Sequence, residues 1–514
     1  MRSLALLALC LGFLTAPAVR AEPGADYQKH CAACHGADRL GGMGPALLPE
    51  NLERLKRADA AGVVAQGRAA TRMPAFAGTL DAAAIDALVA HIYTPLPAMP
   101  RWGLEEIRAS RVLPASPPPE VARPVFEADP LNLFVVVESG DHHVTILDGD
   151  RLAPLTRFAS RFALHGGPKF TPDGRYVFFA SRDGWVTKYD LWTLSTVGEI
   201  RAGINTRNLA VSGDGRYVMV ANYLPHTLVA LDARTLDPIR VLDVRDAKGR
   251  SSRVSAVYDA APRKSFVAAL KDVPELWELT YDDKAEPVYE GYVHDYRSHE
   301  ALPVAGPFPP RRTQLDGILD DFFFDASYAH VIGASRDATG GHVVNLDIRK
   351  TIANVPLPGL PHLASGITWN WQGRPVLATP NLKSGVVSVI EMKTWTPVRD
   401  IPTLGPGFFL RSHEASRYAW VDAFNSASRD TLQVIDKQTL EPGRTVTPAP
   451  GKIAAHVEFT RDGRYALVSV WDMDGAIVVY DAETLAEVKR LPMSRPVGKY
   501  NVYNKITRSS GTSH

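Results

Sequence analysis

The sequence is poor in cysteine. Three occur in 514 residues, at positions 10, 31 and 34, and so few cannot frame a fold of this length, which excludes a disulfide-stapled scaffold. It also lacks a charge of one sign: 57 Lys and Arg stand against 56 Asp and Glu, with no basic run. That leaves no electrostatic case for nucleic acid or an anionic membrane as partner. No G-x-G-x-x-G follows a strand-like run, so no dinucleotide or flavin fingerprint is present. Beyond residue 21 nothing reads as a membrane span.

What is there begins with "MRSLALLALCLGFLTAPAVRA", one positive charge, a short apolar run and small residues around Val19-Arg20-Ala21. This is the layout of a signal peptide, expected over residues 1–21, and it predicts export to the periplasm. Cys10 leaves with it. The two remaining cysteines then fall together in His30-Cys31-Ala32-Ala33-Cys34-His35-Gly36. A lone pair in an oxidising compartment can be a disulfide. Cys-x-x-Cys followed directly by His is instead the attachment signature of c-type haem, with Cys31 and Cys34 as thioether anchors and His35 as axial ligand.

The surroundings of that motif read as a small all-α cytochrome c domain over residues 22–100. "PGADYQKHCAACH" and "DAAAIDALVAHIYT" have helical patterning. Gly44-Pro45 resembles the turn that braces the proximal histidine in small cytochromes c. Two methionines compete for the sixth position, Met43 close to His35 and Met73 in a Met-Pro context further on. Met73 is the choice, because it lies far enough along the chain to reach the opposite face, and a thioether there raises the potential. A proline-rich stretch over 101–124, ending in "SPPPEVARP", reads as a semi-rigid linker.

From residue 125 to the end the period changes. "FTPDGRYVFFASRDGWVTKYDLWTL", "VSGDGRYVMVANYLPHTLVALDARTL" and "FTRDGRYALVSVWDMDGAIVVYDAETL" are copies of one unit, and weaker copies start near Asn132, Pro262, Asp325, Gln372 and His413. Eight units at a pitch of about forty to fifty residues predict an all-β, eight-bladed propeller. His165, His362 and His456, with Arg207 and Arg411, stand at comparable points in their units, just ahead of or within the innermost strands. Imidazoles converging with guanidinium groups on the central axis suit a metal macrocycle that bears carboxylates.

A haem c motif, a proline-rich link and an eight-bladed propeller ending in "VGKYNVYNKI" together resemble the cytochrome cd1 group of denitrifying bacteria, over essentially the whole mature chain. The resemblance implies that the propeller binds haem d1 or its dihydro precursor non-covalently, beside one covalent haem c. It implies His165 as proximal ligand of the d1 iron and His362 as a residue above it. In the nitrite-reducing branch a second distal histidine falls in the stretch "RRTQLDGILDD", where this chain has Leu315 beside Asp316. The dehydrogenating branch, which completes haem d1 biosynthesis by converting a propionate of the dihydro form to an acrylate, is therefore the implied activity. In that reading His456 takes the proton, Tyr500 orients or shares it, Arg207 and Arg411 hold peripheral carboxylates, and electrons leave through haem c to an exported acceptor. Expected partners are the haem d1 precursor, cytochrome cd1 nitrite reductase and related haem d1 biosynthesis proteins. Two alternatives stay open: a carrier delivering haem d1 to the reductase, and a nitrite reductase.

Overall fold

The computed structural model describes residues 23–53, 55–68, 73–289, 303–335 and 340–508. The expected signal peptide lies outside them. Among the described residues no helix is long and apolar enough to cross a membrane.

The N-terminal module is helical. Pro23–His30 and Ala32–His35 carry the haem motif, and Ala82–Ile92, capped by the Asp81 carboxylate on the Ala84 amide at 2.7 Å, packs across it. Tyr27, Leu52, Leu88 and Ile92 form its core. Tyr27 and Leu88 lie on facing sides of the two helices, and their burial is the main force holding a module this small.

The rest is eight four-stranded antiparallel sheets. The repeated Asp-Gly-Arg-Tyr is the turn between the first two strands of a blade. In one copy Gly174 takes φ +71° while its amide bonds the Thr171 carbonyl at 2.8 Å, and the Asp173 carboxylate accepts the Arg175 amide at 3.1 Å. Asp214 and Asp462 accept the matching arginine amides at 3.0 Å each. The motif is therefore a self-bonded turn that recurs because each blade needs it. Middle strands such as Tyr176–Ser181 are buried almost throughout, and the outermost Glu487–Met493 is mostly exposed. That gradient is the signature of blades stacked radially.

The ring closes with chain from both ends. Pro496–Asn501 supplies the innermost strand of blade 1, pairing with Leu133–Glu138. The Asn501 amide bonds the Asn132 side chain at 3.0 Å, and the same Asn132 oxygen accepts the Arg461 backbone amide at 2.9 Å. Helix Val502–Thr507 then runs across one end of the channel, and Arg508 ties it to Asp259 and Tyr328 at 2.6 Å each.

The stretch expected to be a connector contains a helix, Leu104–Ala109, whose Ile107 is fully buried in the core between blades 2 and 3. Val112 bridges Glu199 on the outer strand of blade 2. Sequence composition registered the prolines of 114–124 and missed the amphipathic turn before them. The cytochrome module rests directly on the propeller. Ala46 and Leu48 pack with Ile204 and Leu224, Asn51 bonds the Ile204 carbonyl at 3.0 Å, and Asn205 bonds the Glu50 carbonyl at 3.0 Å. Arg201, lying over Trp102, donates to the carbonyl of Leu40 in the loop that leaves the haem motif.

Candidate functional site

In the cytochrome module both cysteines are free and half-buried. His35 is buried, its Nδ1 2.7 Å from the Pro45 carbonyl, so the ring presents Nε2. A side chain at Gly44 would come within 2.7 Å of the His35 ring, so glycine there lets the loop lie flat on the imidazole. This donor set fits a c-type haem: two thiols at attachment spacing and a histidine held in one tautomer. Met43 is 64% exposed. The Met73 carbonyl accepts the Arg68 amide at 3.2 Å, which places the residue on the loop after the Arg57–Gln66 helix.

In the propeller, His165, Arg207, His362, Arg411, His456 and Tyr500 all line one cavity of about 480 Å³ at one end of the channel. They come from blades 2, 3, 6, 7 and 8 and from the closing strand. Register breaks aim two of them, Arg207 and His456. The innermost strands break register at Arg207, Ser255, Asp320 and His456, and the closing strand does so at Val497. At Arg207, Ser255, His456 and Val497 the bulge leaves one residue out of the ladder, and that residue lines the cavity. His362 differs: it sits on the loop before a 3-10 turn, not on a strand.

The histidines fall into two kinds. His165 Nδ1 lies 2.8 Å from the Arg207 carbonyl and His362 Nδ1 2.6 Å from the Phe408 carbonyl. Each repeats the arrangement of His35, with Nε2 as the outward nitrogen, as metal-ligating imidazoles are usually held. His165 Nε2 meets Arg182 at 3.0 Å. Burial pulls the pKa of His362 down to about 4. His456 is 1% exposed, takes φ +54°, and neither ring nitrogen has a hydrogen-bond partner. Burial first, then the cations Lys499, Arg411 and Lys505, hold its pKa well below the usual range, so it is a neutral imidazole at pH 7. A left-handed, unpartnered, buried histidine is costly, and such strain clusters where function demands it.

Tyr500 stands edge-on to His456, ring centroids 5.1 Å apart. Its phenol is pressed between Gly167 and Gly498, where a side chain would approach to 3.0 and 2.8 Å. Burial pushes its pKa up to about 12, so it stays a hydroxyl. Arg411 is 4% exposed with its Nε unpartnered, and Arg207 Nε donates to the Ser255 carbonyl at 2.9 Å. The aromatic wall of Phe408, Phe409, Phe424 and Trp471, and the Tyr258–Asp321 pair at 2.9 Å, carried no signal in the sequence. They lie on different blades and meet only in space.

Leu315 is not among the residues lining this cavity. It packs in the core between blades 4 and 5, with Leu319 and Phe322. The sequence-based expectation that Leu315 stands at the distal face is thereby corrected: the strand break puts Asp320 out of register, and Leu315 ends the outer strand region of the previous blade. The cytochrome module packs at the end of blade 3 where the Asn205–Val211 strand begins. Asn205, which bonds it, and Arg207, which lines the cavity, belong to one strand.

Comparison with known proteins agrees with this architecture. Residues 128–505 match the family described as "Cytochrome D1 heme domain", and residues 18–92 match "Cytochrome C oxidase, cbb3-type, subunit III". A Pseudomonas aeruginosa protein named "Dihydro-heme d1 dehydrogenase" is 58% identical over 99% of this chain and its own full length. "Protein NirF" of the same organism is 29% identical over 71% of this chain and 90% of its own. A solved structure described as "Dihydro-heme d1 dehydrogenase NirN in complex with DHE" superposes with a TM-score of 0.88 at 58% identity, covering 94% of this chain and 100% of that one. A propeller matched over nearly all its length, carrying a c-type module matched in its own right, places the chain in the cytochrome d1 haem-domain family, beside its dihydro-haem d1 dehydrogenases.

Proposed function

We propose that the protein oxidises a propionate side chain of dihydro-haem d1 to the acrylate of haem d1, in the periplasm. The observation that carries this reading is the pairing of His456 with Tyr500 in a cavity that also holds two outward-facing imidazoles and two arginines. His165 and His362 are the ligands for the substrate's iron, each with Nδ1 committed to a carbonyl. Arg207 and Arg411 hold peripheral carboxylates by charge-assisted bonds, which fixes the side chain presented to His456. His456 is neutral through burial and accepts a proton from the propionate. Tyr500, kept protonated, orients the same carboxylate. Phe408, Phe409, Phe424 and Trp471 exclude water and supply the apolar face a flat macrocycle needs.

The reaction removes two protons and two electrons, and no flavin fingerprint is present to take a hydride. Cys31, Cys34, His35 and Met73 would hold haem c, which would supply a one-electron acceptor. The packing of the cytochrome module directly on the propeller, through Ile204 and Leu224, supports electron exit through it. An exported one-electron acceptor, haem d1 biosynthesis proteins and cytochrome cd1 nitrite reductase are the partners of such a step.

The test is anaerobic incubation of the purified holocytochrome with dihydro-haem d1 and an electron acceptor, followed by spectrum and product mass. Loss of two hydrogens by wild type, with binding and no conversion in His456→Ala, is the expected result. Binding without any mass change in wild type makes the protein a carrier.

A further inference from the structure

Each turnover of the proposed dehydrogenation releases two protons, and His456 can hold only one. The equation is R–CH2–CH2–CO2⁻ → R–CH=CH–CO2⁻ + 2 H⁺ + 2 e⁻, the electrons going to haem c and an external one-electron acceptor. The imidazole has to be emptied between steps, yet neither of its nitrogens has a protein partner. Two residues further along the same strand lies a buried acid that the reaction as described leaves unused. Glu458 is 1% exposed. Its Oε1 accepts the Asn504 side-chain amide and the Phe459 backbone amide at 3.1 Å each, while Oε2 has no hydrogen-bond partner. Lys505, on the helix that crosses the channel end, stands 3.9 Å from that Oε2 and 5.6 Å from the centre of the Tyr500 ring.

We infer that Glu458 and Lys505 are the proton exit of this site. The inference rests on the dehydrogenase reading. The Glu458 carboxylate takes the proton surrendered by His456, becoming a neutral acid. It then passes the proton to the Lys505 amine, which releases it at the helix end of the channel, so both groups return to their starting states.

Three observations support this route. Exposure rises along it, from 1% for the Glu458 side chain to 9% for that of Lys505. The helix packs at the turn end of blade 2, Val502 against Gly174, while His165 stands at the other end of that blade's inner strand. Burial, against the partial offset of Glu458, pulls Lys505 down to about 7, where an amine exchanges protons at neutral pH. Lys505 is also among the cations that depress His456, so its deprotonation restores the basicity of the imidazole. The other charged groups facing the pair are Arg411 and His413 of blade 7, Lys499 of the closing strand and Lys169 of blade 2. Lys499 is fixed structurally, donating to the His456 carbonyl and to Ser469.

The experiment uses full-length holocytochrome with Glu458→Gln and Lys505→Met. Dihydro-haem d1 titrated by its visible spectrum should bind both variants as it binds wild type. In stopped flow with excess acceptor, the first electron should reach haem c at the wild-type rate. Appearance of product should then lag by roughly tenfold or more, the scale of a lost proton-transfer group. A merely structural defect would slow both phases together. Without macrocycle, the difference in thermal midpoint between wild type and Glu458→Gln should shrink from pH 6 to pH 9, as Lys505 loses its charge. Variants that convert at the wild-type rate without a lag overturn the relay alone. A wild type that binds and never loses two hydrogens overturns the dehydrogenase reading and the relay with it. If Glu458→Gln does not fold, Lys505→Met decides by the same lag.

Discussion

Acidification from pH 7 to pH 5, compared between wild type and His456→Gln without macrocycle, isolates the proposed base. His456 is neutral in the fold because burial and neighbouring cations hold its pKa well below 6.5. The unfolded chain protonates it normally. A base whose folded pKa is depressed contributes stability that is complete above the unfolded value and is lost as pH falls below it. Over the one and a half pH units from 6.5 to 5, at about 1.36 kcal/mol per unit, an imidazole that stays neutral withholds about 2 kcal/mol. Other groups also titrate in this window. Asp321 and Asp422, each raised to about 6 by burial, stabilise the fold as pH falls. These groups are common to both proteins and cancel in the difference. Urea midpoints read by tryptophan fluorescence should therefore show wild type losing about 2 kcal/mol more than His456→Gln on acidification. A difference that is flat from pH 7 to pH 5 would mean that His456 takes a proton freely inside the fold. His456 could not then serve as a neutral base.

Other substitutions test other parts of the site. Arg411→Met removes a buried charged donor with an unpartnered Nε, and the affinity for dihydro-haem d1, followed by spectral titration, should fall about 10- to 150-fold. Gly44→Ala forces a methyl within 2.7 Å of the His35 ring, which should cost about 1–3 kcal/mol of cytochrome stability and shift the haem c potential in voltammetry. Leu315→His buries an imidazole in the core between blades 4 and 5. It should destabilise the protein by about 1–3 kcal/mol in thermal unfolding and bring no nitrite turnover. Trp277→Ala, at a fully buried side chain far from chemistry, should cost about 3–5 kcal/mol in chemical unfolding and leave macrocycle affinity in the surviving fold unchanged.

The sequence by itself determined the repeating parts and the haem c motif. Asp-Gly-Arg-Tyr recurs because a turn of that type bonds itself from within four residues, so local rules are enough to count blades. Cys31, Cys34 and His35 are legible for the same reason: the motif is written in contiguous residues. The six propeller residues were recognisable as positions within a repeat, and the ring brings positions of that kind to one axis. What each one faces was decided only by the tertiary structure. The register breaks that turn Arg207 and His456 inward depend on pairing between strands, and the aromatic wall draws on blades 7 and 8. Leu315 was misplaced because sequence alignment by motif cannot show where a strand slips. The seat of the cytochrome on the propeller, through Ile204, Leu224 and Arg201, was equally hidden. Packing between segments some 160 residues apart leaves no periodic trace in either one, and only the folded chain brings them into contact.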